Sequence, residues 1–483
     1  MIFVLLNIAI SVFGENQLIL NKNSTVAACE SNVSQNTTGS FLTVAEALAI
    51  PCTEEGGYEI KLLDLEHIEY LEINQSSLIH IKGTNKNPVI WYSIADGGGT
   101  LSLLQGNLTL ENFEFRYQLH NDSEYAISPA FCLIGVAGYI QDPGINYTYP
   151  SLTVRNCIFQ SVSYVTDDFH ESMYDIIIQY ASKLDIDKCS FKGVGMAEMS
   201  SISFLSVGWT DEVVLSNSIF TDILITRDRT AVMFTGDGEY KSIIINKCEF
   251  INMNYSDVGI CSAVSIQSYD NSVKAYVTNN KFINCNNLKP QTGALFVVDP
   301  SNDDHKPNEF VVEGNTFTNN AGNQSGAIYL SSSNILSNFS FKNNKFSKNM
   351  NNQTSGIGKD VFIDFYEIPA DWTKENIGSK ISEMFKGSQT DAGKDSIYYM
   401  VDSMHSEEEP EISGDISLPE LRNKWWQNKY AIIGISVGSI VLVVAVVSII
   451  IIGVVVYRKK KGKHGSSGIE GEYLLAYGQK ESK

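Results

Sequence analysis

An eight-residue pattern of apolar and polar positions recurs along the middle of the chain. Its first, third and eighth positions are apolar, and the eighth is phenylalanine in every copy. The copies (LTLENFEF, LTVRNCIF, LDIDKCSF, VVLSNSIF, IIINKCEF, AYVTNNKF, FVVEGNTF and FSFKNNKF) begin at Leu108, Leu152, Leu184, Val213, Ile243, Ala275, Phe310 and Phe339. The alternation predicts a short strand with one buried face. Most copies start 29 to 35 residues apart, which is typical of a repeat protein.

A second apolar segment follows several of these octets, for example TAVMF from Thr230, GALFV from Gly293 and GAIYL from Gly326. Two or three short strands per repeat, separated by turns, predict the coils of a parallel β-helix. The predicted fold class is therefore all-β, a parallel β-helix over residues 40–365, followed by one transmembrane helix. A leucine-rich horseshoe is disfavoured because its leucine spacing is missing.

Stacked coils place equivalent residues above one another. The repeated phenylalanine therefore predicts a continuous internal stack, and the sixth octet position predicts an interior polar ladder. The ladder residues are Cys157, Cys189, Ser218, Cys248, Asn280, Asn315 and Asn344. A helix over residues 41–50, capped by Ser40, is expected to close the open end of the first coil.

The two ends of the chain are apolar in different ways. Residues 1–14 form a short uncharged stretch that resembles a signal peptide. Residues 431–457 carry no charge and exceed the ~20 residues that cross a bilayer. Aromatic residues precede this predicted transmembrane helix and the basic cluster 458–461 follows it, which predicts a cytosolic tail over 458–483. Residues 15–39 are assigned to a glycosylated N-terminal segment and 366–430 to a polar stalk, with a short helical cap expected over 376–385.

Charge and glycosylation motifs agree with this topology. The chain carries 55 acidic and 35 basic residues, a net charge of −20, which argues against nucleic-acid binding. All Asn-x-Ser/Thr triplets precede the predicted span, so we expect a type I plasma-membrane protein with an extracellular N-terminus, able to cycle through endosomes. The candidate N-glycosylation sites are Asn23, Asn32, Asn36, Asn74, Asn107, Asn121, Asn146, Asn254, Asn323, Asn338 and Asn352.

Eight cysteines in a secreted chain suggest disulfide bonds. Cys29 and Cys52 flank the predicted capping helix and form the favoured pair. Cys157 and Cys189 occupy equivalent positions on adjacent coils, and either a bond or two stacked free thiols is consistent with that placement. Cys-x-x-Cys spacing is absent from the sequence, so neither a zinc site nor another cofactor is expected.

The repeat resembles that of the right-handed parallel β-helix superfamily, which includes pectate-lyase-like enzymes, phage tailspikes and bacterial adhesins. Gly326-Ala-Ile-Tyr and Gly293-Ala-Leu-Phe, with Phe317-Thr-Asn-Asn and Phe346-Ser-Lys-Asn, are similar to the GGAI and FxxN repeats of polymorphic membrane proteins. Such repeats occur in chlamydial adhesins and in surface proteins of single-celled eukaryotic parasites. Because this chain ends in one predicted helix, the resemblance implies a eukaryotic, protist-type surface form that acts in adhesion.

Three groups of residues are candidates for function. Tyr139, Tyr147 and Tyr149 lie in the one long insertion between octets and predict a binding loop for a host-cell or extracellular glycan or protein. Acidic residues after the second strands, Asp211 and Asp299 among them, suit either a calcium edge or ordinary polar turns. Glu470, Leu474 and Leu475 resemble the acidic dileucine signal that clathrin adaptors read.

The sequence favours a non-enzymatic adhesin or ligand-binding receptor. The alternative is a membrane-tethered polysaccharide lyase or hydrolase, for which Asp168 and His170, in one loop, are the sharpest acid–base candidates. A passive surface-coat protein is the third hypothesis.

Overall fold

The computed structural model describes residues 27–93, 99–117, 132–137, 148–161, 173–195, 202–225, 230–236, 242–255, 262–268, 273–287, 292–300, 307–333, 336–352, 358–367, 372–373, 375–401 and 412–421. Within these residues lie 33 strands and two α-helices. The helices are α1 (Val44–Leu48) and α2 (Ile377–Met384), and a single 3₁₀ turn spans Gly393–Asp395.

The strands are short, apart from four long ones in the first half of the fold. The first sixteen are β1 Cys29–Val33, β2 Tyr58–Leu62, β3 Glu66–Ile68, β4 Leu71–Gly83, β5 Val89–Tyr92, β6 Leu101–Glu111, β7 Phe113–Arg116, β8 Cys132–Ala137, β9 Ser151–Arg155, β10 Ile158–Gln160, β11 Met173–Asp187, β12 Ser190–Lys192, β13 Ile202–Ser216, β14 Ile219–Ile225, β15 Val232–Gly236 and β16 Ser242–Asn246. The remainder are β17 Glu249–Tyr255, β18 Val264–Ser268, β19 Lys274–Thr278, β20 Lys281–Ile283, β21 Asn286–Asn287, β22 Leu295–Asp299, β23 Glu309–Glu313, β24 Thr316–Thr318, β25 Ala321–Gly322, β26 Ile328–Ser332, β27 Asn338–Ser340, β28 Lys345–Ser347, β29 Met350–Asn351, β30 Val361–Phe365, β31 Gln389–Thr390, β32 Ile397–Val401 and β33 Ile412–Ile416.

These strands stack into ladders in which each strand pairs in parallel with its equivalent one coil later. A 14-stranded sheet contains the strands that carry the repeated phenylalanine, and a 19-stranded sheet contains the other two sides of each coil. β4, β6, β11 and β13 run through the corner between those two sides without interruption. Among the described strands, β32 and β33 alone pair antiparallel. This topology confirms the predicted right-handed parallel β-helix.

The fifth octet position makes the sharp corner between the two sheets. Its residues all have left-handed φ angles, from 49° at Asn217 to 69° at Gly314. Asparagine tolerates this conformation better than other residues with a side chain, and glycine adopts it freely. The recurrence of Asn at Asn112, Asn156, Asn217, Asn279 and Asn343 is therefore a consequence of the turn.

The interior contains the predicted phenylalanine stack. Phe115, Phe159, Phe191, Phe220, Phe250, Phe282, Phe317 and Phe346 are fully buried. Neighbouring rings in this series lie 4.5 to 5.2 Å apart between centroids and within 18° of parallel. Each coil thus buries its apolar face on the next, as solenoid stability requires.

The N-terminal end differs from the prediction. The helix is α1, Val44–Leu48, and its cap is Thr43, whose Oγ1 accepts a hydrogen bond from Glu46 N at 3.1 Å. Ser40 is not the cap, because the adjacent Phe41 is held in extended pairing with β1: its N–H donates to Asn32 O at 2.9 Å. The solenoid begins at β1, inside the segment 15–39 that was assigned outside it, since β1 pairs with β2. The predicted Cys29–Cys52 disulfide is confirmed.

The C-terminal end also extends the fold. β32 continues a ladder from β30, so the predicted stalk over 366–430 is wrong for much of its described part. The expected helical cap over 376–385 is confirmed by α2, which buries Ile377, Ile381 and Met384 on the last coil. The apolar face of α2 covers the end of the last coil, which would otherwise be exposed to solvent. The chain therefore remains part of the solenoid beyond residue 365.

None of the helices in the described residues is long and apolar enough to cross a membrane. The predicted span, 431–457, lies outside the described residues, as do the predicted signal peptide, 1–14, and the tail, 458–483.

Candidate ligand-binding face

Three aromatic side chains, two exposed and one half-buried, form a row at the corner between the two sides of the 19-stranded sheet. We call Tyr149, Tyr180 and Trp209 the aromatic strip. The rings of Tyr149 and Tyr180 lie 6.4 Å apart between centroids at 19°, and those of Tyr180 and Trp209 lie 5.6 Å apart at 52°. Tyr149 is 44% exposed and Trp209 is 41% exposed. The strip therefore offers aromatic surface to solvent across three consecutive coils.

The long strands β11 and β13 position the strip. Tyr180 pairs with Trp209 in the parallel register of these strands, which fixes one ring above the other. Tyr149 is placed by the next side of the coil, where Ser182 Oγ donates to Tyr149 O at 3.1 Å and Ser182 N donates to Pro150 O at 2.8 Å. The rings are thus held by backbone pairing on each coil.

Two open clefts flank the strip. The Trp209 cleft, of about 420 Å³, is lined by Gln179, Tyr180, Ser206, Gly208, Trp209 and Thr235 together with Ile177 and Ile178. The Tyr149 cleft, of about 430 Å³, is lined by Ser76, Gly106, Asn107, Thr148, Tyr149, Ser182 and Asp211. Both combine aromatic surface with hydroxyl and amide groups, which is the composition of a site for a polar ligand with apolar faces.

Each cleft is lined by one glycine, Gly208 in the Trp209 cleft and Gly106 in the Tyr149 cleft. Gly106 has a φ of 87° at the bend of β6, and a Cβ there would lie 2.4 Å from Gln75 O. A Cβ at Gly208 would lie 3.1 Å from the carbonyl oxygens of Gln179 and Ile178. Side chains at these two positions would both strain the corner and fill the space beside the rings.

The ionisable environment of the strip is sparse. Asp211 lines the Tyr149 cleft, and the neighbouring Lys183 and Glu212 pair with each other at 3.3 Å. Among the described residues, no group of three or more His, Cys, Asp or Glu side chains could hold a metal ion.

The most perturbed carboxyl group near this part of the fold is inside the solenoid. Asp175 is fully buried, and Ser161 Oγ lies 3.4 Å from both of its carboxylate oxygens. Burial raises the pKa of Asp175 well above its usual range, against the hydrogen bond from Ser161. Burial likewise raises the pKa of Cys132 to about 12. Neither group lines the two clefts.

The predicted binding loop is only partly described. Tyr149 belongs to the strip, whereas Tyr139 and Tyr147 lie outside the described residues. Asp168 and His170, and the tail motif of Glu470, Leu474 and Leu475, also lie outside them. The prediction missed Tyr180 and Trp209, although each stands four residues before the start of an octet, at Leu184 and Val213.

Most of the predicted acidic edge lies outside the described residues, and Asp211 and Asp299, which are described, differ in their surroundings. Asp299 is fully buried at the end of β22, where Asn308 Nδ2 and Ser332 Oγ donate to it at 2.6 and 2.9 Å. Asp211, in contrast, is half-buried and lines the Tyr149 cleft. The two carboxylates are therefore not equivalent, and Asp299 is satisfied by protein donors.

The predicted glycosylation sites divide by exposure. Asn32, Asn36, Asn74, Asn107, Asn338 and Asn352 are exposed, and Asn254 and Asn323 are half-buried. Asn23, Asn121 and Asn146 lie outside the described residues. For the second predicted cysteine pair the structure shows two stacked free thiols, because Cys157 and Cys189 are buried and not bonded to each other.

Comparison with known proteins adds little beyond this geometry. No family model and no curated protein matches the chain. A solved PL6-family alginate lyase, a variant of AlyGC, is similar over 75% of this chain at 11% identity, with a TM-score of 0.29. The match covers 53% of the lyase, so this chain spans about half of its length. A TM-score this low carries no argument about function, and the fold assignment stands on the strand pairing of this chain.

Proposed function

We propose that this protein is a single-pass cell-surface glycoprotein whose β-helix binds glycans along the aromatic strip, as an adhesin or ligand-binding receptor. The observation that carries the proposal is the exposure of Trp209 and Tyr149, whereas the rings of the phenylalanine stack are buried. Burying an aromatic side chain stabilises a fold substantially, so a row of rings left in solvent at one corner favours a contact surface.

A glycan fits this surface for a chemical reason. A pyranose ring has apolar C–H faces that stack on the electron-rich face of an aromatic ring, and hydroxyl groups around its rim that need hydrogen-bond partners. Gln179, Ser206 and Thr235 on one side, with Asn107 and Ser182 on the other, supply amides and hydroxyls beside the rings. An apolar peptide would cover these amides and hydroxyls without offering them hydrogen bonds.

The test measures how much of the full-length protein is retained by host-type cells and by each member of a panel of polysaccharides. We expect saturable binding that the double variant Tyr180→Ala/Trp209→Ala loses. Tyr276→Ala is the matched control, because Tyr276 is a half-buried outward tyrosine on β19, away from the strip. Binding that survives the double variant would contradict the proposed site.

The lyase alternative is distinguished by its products. Cleavage needs acid–base groups beside the bound chain, and Asp211 is the one carboxylate among the described lining residues of the clefts. The same incubations are therefore scored for new reducing or unsaturated ends. Turnover lost on substitution of Asp168 and His170 would favour the lyase, and neither retention nor turnover would favour a passive coat protein.

The membrane topology and tail sorting belong to the same proposal. The uncharged stretch 431–457 with the basic cluster after it supports a type I orientation, and the exposed sequons lie before it. Leu474→Ala/Leu475→Ala should raise surface abundance, measured by surface biotinylation, if clathrin adaptors read the tail. Unchanged surface abundance would contradict the sorting signal and would have no bearing on the proposed glycan site.

A further inference from the structure

The Tyr149 cleft contains a candidate N-glycosylation site. Asn107 is exposed, lines this cleft and begins the sequon (Asn-x-Ser/Thr) that ends at Thr109. We infer that the Tyr149 cleft holds the protein's own N-glycan, attached at Asn107; this inference rests on the proposed cell-surface glycoprotein. The glycan is then a covalently attached ligand of one end of the aromatic strip.

Two further sequons border the same cleft. Ser76 completes the sequon of Asn74, Thr148 completes that of Asn146, and both hydroxyl residues line the cleft. Asn74 is exposed on β4, whereas Asn146 lies outside the described residues. In the described part of the chain, none of the residues that line the Trp209 cleft belongs to a sequon. The Tyr149 cleft is thus the one beside glycosylation sites, and the Trp209 cleft is left for an external ligand.

The strand register places the anchor near the ring. Asn107 on β6 pairs in parallel with Ser151 on β9, and Ser151 comes two residues after Tyr149. Gly106, directly before Asn107, also lines the cleft and adds no side chain to it. Anchor and ring therefore lie on neighbouring coils. A short covalent tether makes occupancy of the cleft intramolecular, with an effective concentration on the order of millimolar.

The cleft offers the contacts that the first sugars of an N-glycan need. The ring of Tyr149 is 44% exposed and can stack on the C–H face of a pyranose. The hydroxyls of Ser76, Thr148 and Ser182 line the same space and can bond to the hydroxyl and N-acetyl groups of the sugar. The volume of about 430 Å³ is within the range of small-ligand sites.

The attachment itself uses a donor that the secretory pathway supplies, an oligosaccharide linked to a lipid through a diphosphate. Asn107 Nδ2 forms a bond to C1 of the first sugar and loses one proton to solvent. The bond from C1 to the diphosphate breaks, and the diphosphate leaves with the electron pair. The remaining hydrogen on Nδ2 keeps the linkage an amide.

The experiment measures how fast a peptide N-glycosidase releases the glycan at each sequon of the native full-length protein, made in a eukaryotic secretory host. Release in heavy-oxygen water marks each freed site for mass spectrometry. We expect Asn107 to be occupied and to be released at least tenfold more slowly than the occupied sequons that line neither cleft. Asn338, exposed on β27, is the preferred reference among them.

Variants of the ring test the seat directly. Tyr149→Ala should speed release at Asn107 at least fivefold without changing release at the reference sites. Tyr149→Phe keeps the stacking face and should preserve slow release at Asn107. Tyr276→Ala, the matched control on β19, should change neither rate. Denaturing the protein should make the rates at all sites equal, because the protection comes from the folded cleft.

The outcomes separate this inference from the proposal beneath it. Release at Asn107 that is as fast as at the reference sites, that ignores Tyr149→Ala, or that stays slow after denaturation would overturn the seat. A bare Asn107 in a chain glycosylated elsewhere would also overturn it, while Trp209-dependent retention would still stand. A chain without glycan at any sequon would overturn the glycoprotein part of the proposed function itself.

Discussion

The carboxamide oxygen of Asn315 accepts two hydrogen bonds from Asn280 on the preceding coil, one from the backbone N–H at 2.8 Å and one from the side-chain amide at 3.1 Å. The carboxamide oxygen of Asn344 likewise accepts from Asn315, from its backbone N–H at 2.9 Å and from its side-chain amide at 3.2 Å. The free amide hydrogens are satisfied by carbonyls of the interior, as in Asn315 Nδ2 to Val277 O at 2.8 Å. The predicted polar ladder thus hydrogen-bonds one coil to the next inside the solenoid.

Breaking this ladder should be costly. Asn315→Ala leaves the N–H of Asn280 without its partner and opens a small cavity, so we expect the free energy of unfolding to fall by roughly 2–4 kcal/mol. Denaturant unfolding followed by circular dichroism measures it. Thr316→Ala, at the half-exposed neighbouring position, should change stability by less than about 0.5 kcal/mol. Equal effects of the two variants would contradict the ladder.

Gly326 is required by a close approach between coils. A Cβ at this position would lie 2.5 Å from Asn320 O and 2.8 Å from Met350 N, both backbone atoms that cannot move alone. We expect Gly326→Ala to lower the melting temperature, at a cost of about 1–3 kcal/mol. Gly135→Ala is the control, because its nearest neighbour is the Cys132 side chain at 3.3 Å. A Gly326 variant as stable as the control would show that the coils can separate freely here.

Asp360 should make the C-terminal cap sensitive to pH. Burial raises its pKa to about 7, against hydrogen bonds from Thr390 and Asn349 that lower it; Asp391 raises it further and Lys359 lowers it. In the unfolded chain an aspartate ionises near about 3.9. The folded state therefore holds a proton that the unfolded state has released between these values. This stabilisation is fully present below about pH 4 and is lost as the pH rises towards 7.

Asp360→Asn removes that contribution while retaining a neutral side chain of the same shape. The fall in unfolding free energy between pH 4 and 7 should be shallower in the variant than in the wild type, by an amount on the order of 4 kcal/mol. Denaturant titrations at several pH values measure the difference. Glu383→Gln, an exposed carboxylate on α2 paired with Lys386, is the control and should leave the slope unchanged. Parallel curves for wild type and Asp360→Asn would contradict a buried, protonated Asp360.

The predictability of each feature follows from how the sequence encodes it. The phenylalanine stack and the Asn280–Asn315–Asn344 ladder were predictable because one residue type recurs at one octet position. The second ladder, in which Asn320 and Asn349 of the FxxN motifs accept from Cys285 N and Asn320 N, follows the same rule. Repetition converts sequence spacing directly into spatial register.

Features that depend on a single departure from the repeat were not predictable in this way. β32 extends the solenoid although it carries no octet. The last coil has unpaired backbone N–H and C=O groups at its edge, and any further strand that pairs with them stabilises it. Tyr180 and Trp209 meet because β11 and β13 run through the corner, and only the pairing register makes them neighbours. Their shared distance from the following octets was the available signal.

The most direct test of the proposed binding face is a calorimetric titration of wild type and Trp209→Ala with an oligosaccharide of the panel polysaccharide that the wild type retains most tightly. Removing the indole should weaken binding at least tenfold, or about 1.4 kcal/mol, with no change in the free energy of unfolding beyond roughly 0.5 kcal/mol. An affinity that is unchanged in Trp209→Ala would contradict the assignment of the aromatic strip as the ligand-binding face.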